Sequence, residues 1–176
     1  MIHVVKFLRT RKEEARALLP ERLLPYLEKR LLPSAWYPEE DHIELCRALA
    51  KLLPGPAGMD IYEHIGRSGA RADLAGVYRN MLRPGDPTGT LRKANALWHA
   101  YHDTGMYRVV QEGRGAARIE LVSFPAQAPE HCRILRGWLA ELLALAGAHG
   151  VEVVEIRCVH RKDLFCRWEM TWEDPA

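Results

Sequence analysis

Three of the chain's four cysteines lie near its C-terminal end and share one pattern with a glutamate, C-x22-E-x2-C-x7-C. In a reducing compartment, clustered cysteines indicate metal or thiol chemistry more often than disulfides. Zinc favours thiolates, accepts a carboxylate oxygen, and uses four protein ligands in a structural site. A shared zinc ion would require a helix and a hairpin to meet, because its ligands would be Cys132, Glu155, Cys158 and Cys166.

The local geometry of this pattern leaves alternatives open. Cys132 falls in the first turn of a predicted helix, where the helix dipole lowers a thiol pKa. Glu155 and Cys158 are three residues apart, so a regular strand would point them to opposite faces. A bulge would bring them together, and the apolar alternation does slip near Val153. His160 is the alternative fourth ligand, and three buried thiols without a metal also fit the pattern.

Residues 1–104 are predicted to be mainly helical. Helical spacing, start signals and prolines predict one short strand followed by five helical segments. The strand covers Ile2 to Leu8. The first helix runs from Thr10 to Pro20 and the second from there to Leu32. The other three run from Pro38 to Leu53, within Met59 to Leu82, and from Gly89 to Asp103. The glycines of the fourth helix indicate close packing or a kink.

Residues 105–176 predict two hairpins separated by a helix. The hairpins pair Met106 to Glu112 with Arg118 to Phe124 and Val151 to Cys158 with Phe165 to Trp172, and the helix runs from Pro129 to Gly147. The order β-β-α-β-β predicts a four-stranded antiparallel sheet with helices on one face. The predicted fold class is therefore α+β, and since no Gly/Ser linker separates the two parts, residues 1–176 are expected to form one domain.

Composition excludes several functional classes. The formal net charge of +2 argues against a nucleic-acid binder. No apolar run reaches 18 residues, so no membrane span is expected. The N-terminal stretch lacks the features of a secretory signal, so a cytoplasmic location is expected. Ser123 has no evident His–Asp partners and no G-x-S-x-G motif occurs, so the chain is not expected to be an enzyme.

The stretch EHCRILRGWLAELLALAGAHGVEVVEIRCVHRKDLFCRWEMTW resembles a V4R (4-vinyl reductase) domain, most closely the sensory domain of phenol-responsive bacterial activators. The resemblance implies that Cys132, Glu155, Cys158 and Cys166 hold a structural zinc. It also implies a homodimer and an apolar or aromatic ligand. The helical part, with LLPSAWYPEEDH and YEHIGRSGA, resembles uncharacterised bacterial proteins built on that domain. More distantly, the chain is similar to heme-nitric-oxide-binding and Bet3-type folds.

A ligand cavity of this kind would lie between the helices and the sheet. Its candidate lining residues are Trp98, His99, Tyr101, Tyr107, Phe124 and Trp138. Aromatic residues at helical spacing are also common in an ordinary core, so each of them has that second interpretation.

The resemblance to heme-nitric-oxide-binding domains is incomplete at the residues that those domains use to hold heme. Those domains use a helix histidine and a Y-x-S-x-R motif, and the nearest match here, Tyr107, Val109 and Gln111, lacks the serine and the arginine. The sequence therefore predicts that heme is not bound, with His99 and His102 left as conceivable ligands.

The sequence favours a non-catalytic domain that binds or senses a small molecule, contains a structural zinc, and acts through an unknown downstream protein. The alternative is a protein–protein interaction module without an exchangeable ligand, whose contact surface would include Leu31, Trp36 and Tyr37. A role in tetrapyrrole or aromatic metabolism is a third hypothesis, for which the sequence offers no catalytic residues.

Overall fold

The computed structural model describes residues 1–76, 78–125 and 128–174. The helices are α1 (Ile2–Thr10), α2 (Lys12–Leu18), α3 (Pro25–Glu28), α4 (Glu39–Leu52), α5 (Ile61–Ala75), α6 (Pro87–Tyr101) and α7 (Pro129–Leu145). The strands are β1 (Met106–Gly113), β2 (Ala116–Val122), β3 (His149–Arg157) and β4 (Cys166–Glu173). Over these ranges, no helix is both long and apolar enough to cross a bilayer.

The four strands form one antiparallel sheet in the order β1-β2-β4-β3. The two hairpins meet in the middle of the sheet, where β2 pairs with β4. The helix between them, α7, packs on the face that carries Tyr107, Ile119, Trp168 and Met170. The predicted α+β class, with a helical N-terminal part and a four-stranded antiparallel sheet, is confirmed.

The N-terminal segment departs from the prediction, because Ile2–Thr10 is a helix and not a strand. Its buried residues are Val4, Val5 and Leu8, which lie on one helical face. A short run of β-branched residues fits either structure, and here the helical neighbours decide. Thr10 does not cap the next helix, since its hydroxyl donates to the carbonyl of Phe7, 2.7 Å away.

Two other predicted helices are shorter than expected. The segment that ends near Leu32 contains only a single 3-10 turn, Glu21–Leu23, and the one-turn helix α3. The helix predicted within Met59 to Leu82 ends at Ala75. Val77 lies outside the described residues, and a 3-10 turn, Arg79–Met81, follows.

The apolar interior consists of two clusters. One joins α1 to α4 and includes Val4, Leu8, Leu23, Leu45 and Leu49. The other lies between the sheet and the helices α5, α6 and α7, and includes Leu74, Leu91, Ile119, Leu139 and Trp168. The N-terminal helices therefore form a cap with its own core, and the boundary between the clusters is the place where polar groups can be buried.

Helices α5 and α7 approach so closely that their backbones meet. A Cβ atom at Gly66 would overlap the backbone carbonyl of Ile134, and one at Gly137 would overlap the carbonyl of Glu63. Each glycine therefore faces the other helix at a point where no side chain fits. The expected close packing of glycines in this segment is confirmed at Gly66.

We expect Gly66→Ala to lower the free energy of unfolding by about 1–3 kcal/mol, because the new methyl group would force α5 away from α7. The matched control is Gly55→Ala, since a Cβ at Gly55 meets nothing within 4 Å. Urea unfolding followed by circular dichroism measures both changes. Equal stabilities of the two variants would contradict the close helix contact.

Candidate functional site

Three cysteines and one glutamate converge between α7 and the β3–β4 hairpin. Cys132 lies in the first turn of α7, Cys158 directly follows β3, and Cys166 begins β4. One ligand atom each from Cys132, Glu155, Cys158 and Cys166 lies within 4.8 Å of all the others. The structure thus brings together all four residues of the sequence pattern.

The sulfur atoms stand at the spacing of a metal site. Cys132 Sγ lies 3.7 Å from Cys166 Sγ and 3.8 Å from Cys158 Sγ. Tetrahedral zinc with bonds of about 2.3 Å to sulfur places its sulfur ligands about 3.8 Å apart. All three cysteines are buried and none forms a disulfide. The thiols are therefore already at the separation that a bound zinc ion would impose.

Glu155 reaches the thiols through an irregularity in the strand. The pairing of β3 with β4 shifts register between Glu155 and Arg157, so a bulge occurs, two residues later than the sequence indicated. Oε1 of Glu155 is buried and has no hydrogen-bond partner among the described residues. Oε2 accepts a hydrogen bond from Arg161 at 3.2 Å. His160, the alternative ligand, is exposed and is not part of the cluster.

The pKa values of the thiols differ from the expectation that the helix dipole lowers the pKa of Cys132. A hydrogen bond from Cys132 lowers the pKa of Cys166 to about 7, and the backbone N–H of Val159 also donates to this sulfur at 3.4 Å. The pKa of Cys132 is raised, first by that same hydrogen bond and then by burial. Its position in the first turn of α7 therefore does not make it the more acidic thiol. The pKa of Cys158 is raised by burial.

A second group of interest lies at the boundary between the two apolar clusters. The Trp98 ring stacks on His102 with centroids 4.0 Å apart, and Phe124 meets both rings edge-on. His131 completes the group, with its ring centroid 4.9 Å from that of Phe124. Trp98 is held in place because its Nε1–H donates to the carbonyl of Thr104 at 3.0 Å.

The six aromatic candidates for a ligand site are separated by the fold. Trp98, Tyr101 and Phe124 lie around His102. His99 points to solvent from the other side of α6, and Tyr107 is a fully buried core residue of β1. Trp138 is partly buried on α7 and packs against the same core. Whether any of these residues contacts a ligand stays a prediction.

Glu39 is a residue that the sequence does not single out, because it falls in the first turn of the helix predicted from Pro38 to Leu53. Its carboxylate lies 3.6 Å from His42 Nδ1, 3.8 Å from His131 Nε2 and 3.9 Å from His102 Nδ1. These residues come from α4, from the end of α6 and from α7. Only the i,i+3 pair of Glu39 and His42 is visible in the sequence, so no pattern indicates the whole group.

Burial keeps these histidines neutral. It lowers the pKa of His102 and of His131 to about 4, and it lowers that of His42 well below its ordinary value. Nδ1 of His131 and Oε1 of Glu39 are both buried without a hydrogen-bond partner among the described residues. Unsatisfied buried polar atoms of this kind often mark a place for a ligand, an ion or water.

A cavity of about 180 Å³ opens at this group. It lies between the segment that precedes α4, the end of α6 and the segment that follows β2, and its wall includes Trp36, Tyr37, Glu39, His102 and Phe124. Trp36 is 61% exposed, so the rim of the cavity is open to solvent.

The similarity of this chain to known proteins lies in its fold and not in its sequence. Its sequence matches no protein-family model and no curated protein. Its fold is similar to solved structures of H-NOX proteins. An H-NOX protein from S. oneidensis in the Fe(II) ligation state is 12% identical, with a TM-score of 0.67 over 99% of this chain and 95% of the other. An oxygen-binding H-NOX domain related to soluble guanylate cyclases is 12% identical, with a TM-score of 0.65 over 99% and 92%.

A third structure, from work on heme distortion in the H-NOX family, is 13% identical and has a TM-score of 0.66 over 98% of this chain and 93% of that one. At these identities the likeness establishes the fold alone.

The comparison with solved structures corrects two predictions made from the sequence. The V4R resemblance finds no support, whereas the resemblance to heme-nitric-oxide-binding domains, given as the more distant one, matches the fold. The exclusion of heme is wrong, because the chain shares the architecture of heme domains.

We expect Glu155→Gln to weaken binding of Co²⁺, a spectroscopic substitute for zinc, at least about tenfold. Removing a residue that only hydrogen-bonds to a metal ligand already lowers metal affinity by about that factor. The matched control is His160→Gln, which should leave the affinity unchanged because His160 is exposed and outside the cluster. Absorbance titration measures both affinities. The reverse order of effects would assign the fourth position to His160.

Proposed function

We propose that this chain is a non-catalytic small-molecule sensing domain in which a structural zinc fastens α7 to the β3–β4 hairpin. The observation that carries the metal assignment is the set of three buried thiols, with Sγ–Sγ distances of 3.7 and 3.8 Å from Cys132. They are faced by Oε1 of Glu155, which has no hydrogen-bond partner within the described ranges. The H-NOX fold supports the sensing role, because its relatives include an oxygen-binding domain.

The donor set indicates a structural rather than a catalytic zinc. Cys132, Cys158, Cys166 and Glu155 would supply four protein ligands, which leaves no open position for water or substrate. The hairpin loop is organised around this site, since the N–H of Cys158 donates to Asp163 Oδ2 at 2.8 Å. When bound, zinc would supply a rigid link between a helix and two strands.

A ligand in the cavity near His102 would contact both halves of the molecule. Glu39 belongs to α4 and thus to the helical cap, whereas His102 and Phe124 belong to the half that contains the sheet. A ligand that binds one arrangement of the two halves better than another shifts the population toward that arrangement. A downstream partner would then recognise this arrangement.

Heme is the first ligand to test, because it is the group named for the structural relatives. The residues at the cavity fit heme in kind, since His102 offers an imidazole between the aromatic rings of Trp98 and Phe124. The cavity of about 180 Å³ is smaller than the pockets of roughly 300–1,000 Å³ that hold drug-sized ligands, so heme would also require α4 and α6 to move apart.

An interaction module without an exchangeable ligand is the second candidate function. The observation in its favour is exposed apolar surface in the segment before α4, where Trp36 is 61% and Leu32 is 51% exposed. Leu31 and Tyr37 are only partly exposed. The homodimer, which only the family resemblance implied, stays a prediction.

We expect protein purified without added metal to contain about one zinc per chain, measured by elemental mass spectrometry. Cys166→Ala should remove the zinc and lower the free energy of unfolding by about 3 kcal/mol. This is the stabilisation expected when the free zinc concentration is about 100 times the Kd of the site. The control is Cys46→Ala, since Cys46 is equally buried but lies on α4, outside the cluster. Folded wild-type protein without metal would contradict the zinc assignment.

If heme is taken up at the cavity, we expect the Soret band of the complex to depend on His102. His102→Ala should lose the band, because His102 is the histidine that lines the cavity. His99→Ala should keep it, because His99 is exposed on α6. Hemin titration of the three proteins gives the comparison, and a band that survives in His102→Ala would place the heme elsewhere.

A further inference from the structure

We propose that the cavity beside Glu39 binds a small organic cation, an amine or a quaternary ammonium compound. This inference deepens the proposed sensing function, because it names the class of ligand that the cavity would take. It rests on the composition of the wall, on the size of the cavity and on a buried carboxylate oxygen that has no hydrogen-bond partner among the residues the structure describes.

Aromatic rings form much of the cavity wall. The rings belong to Trp36, Tyr37, Tyr101, His102 and Phe124. An organic cation is attracted to the face of an aromatic ring, and several rings around one site are the usual means of binding a quaternary ammonium group. The exposed ring of Trp36 stands at the rim, where it can cover a bound ligand without being part of the core.

The charged groups of the wall are all acidic. Glu39, Glu40 and Asp103 line the cavity, and the described part of the wall contains no lysine or arginine. The basic groups that interact with this carboxylate include His102 and the amino group of Met1. Burial lowers the pKa of His102 to about 4 and also lowers the pKa of the Met1 amino group, so burial weakens the positive charge of both. The cavity therefore has a negative potential that favours a cation.

Glu39 supplies the site that a cation would occupy. Its position at the start of α4 explains why a carboxylate is favoured there, but it does not explain why Oε1 is buried with no hydrogen-bond partner in the described part of the chain. His42 and His131 lie 3.6 and 3.8 Å from this oxygen, beyond hydrogen-bond distance. A cation in the cavity would be attracted to this carboxylate, whose other oxygen, Oε2, lies 3.9 Å from Nδ1 of His102 in the cavity wall.

Size and spacing favour an organic cation over a metal ion. About 180 Å³ suits a molecule smaller than a drug-sized ligand, and is far more than a bare ion needs. In the described residues, ligand atoms of three or more side chains reach metal spacing at the thiol cluster and not around Glu39. The aromatic wall would also contribute nothing to a bare divalent metal ion.

The test is calorimetric titration of the zinc-loaded protein with choline and with its uncharged isostere 3,3-dimethylbutan-1-ol. We expect one choline to bind per chain, and the isostere to bind at least about tenfold more weakly, because it lacks the charge. Glu39→Gln should weaken choline binding at least about tenfold, since it keeps the shape and removes the charge. Glu13→Gln, an equal charge change at an exposed site on α2, should not weaken it.

Trp36→Leu is the second variant, since a residue that is 61% exposed can be replaced without disturbing the core. It should also weaken choline binding several-fold. Equal binding of choline and its isostere would overturn the proposal, as would the absence of choline binding at millimolar concentration or unchanged affinity in both variants. The hemin titration and the zinc content are measured separately, so failure with choline is distinguishable from failure of the sensing function.

Discussion

The contact between α5 and α7 is the constraint on which the rest of the structure depends. Gly66 and Gly137 let the two backbones meet, and this fixes the position of α7 between the helical cap and the sheet. Ion pairs reinforce the same placement, since Arg71 of α5 binds Glu141 and Arg47 of α4 binds Glu130. Because α7 supplies residues to both candidate sites, a shift of this helix would disturb both of them together.

The two sites meet at consecutive residues of the first turn of α7. Cys132 points toward the β3–β4 hairpin and its thiols, whereas His131 points toward Glu39 and the aromatic rings. Neighbouring residues of a helix point about 100° apart, so one turn can serve two different surroundings. The proposed zinc would make one side of this turn rigid and would give the other side a fixed support, against which the helical cap would move if a ligand bound.

Much of the fold follows from local patterns in the sequence. The final strand was predictable because Cys166, Trp168, Met170 and Trp172 alternate with polar residues, and the structure buries that face. The first helix was not predictable, because Ile2–Thr10 mixes β-branched residues with a spacing that fits strand or helix equally well. Its conformation is decided by the apolar partners that it finds on α4, which lie far along the chain.

The candidate sites divide in the same way. The sequence by itself predicted the thiol cluster, because cysteines are chemically distinctive and their spacing is a recognisable pattern. Only the tertiary structure decided that Glu155 and not His160 faces the thiols, since a register shift in β3 turns it inward. Only the tertiary structure also brought Glu39, His102 and His131 together. They lie on separate helices whose approach depends on packing, and packing leaves no local trace in the sequence.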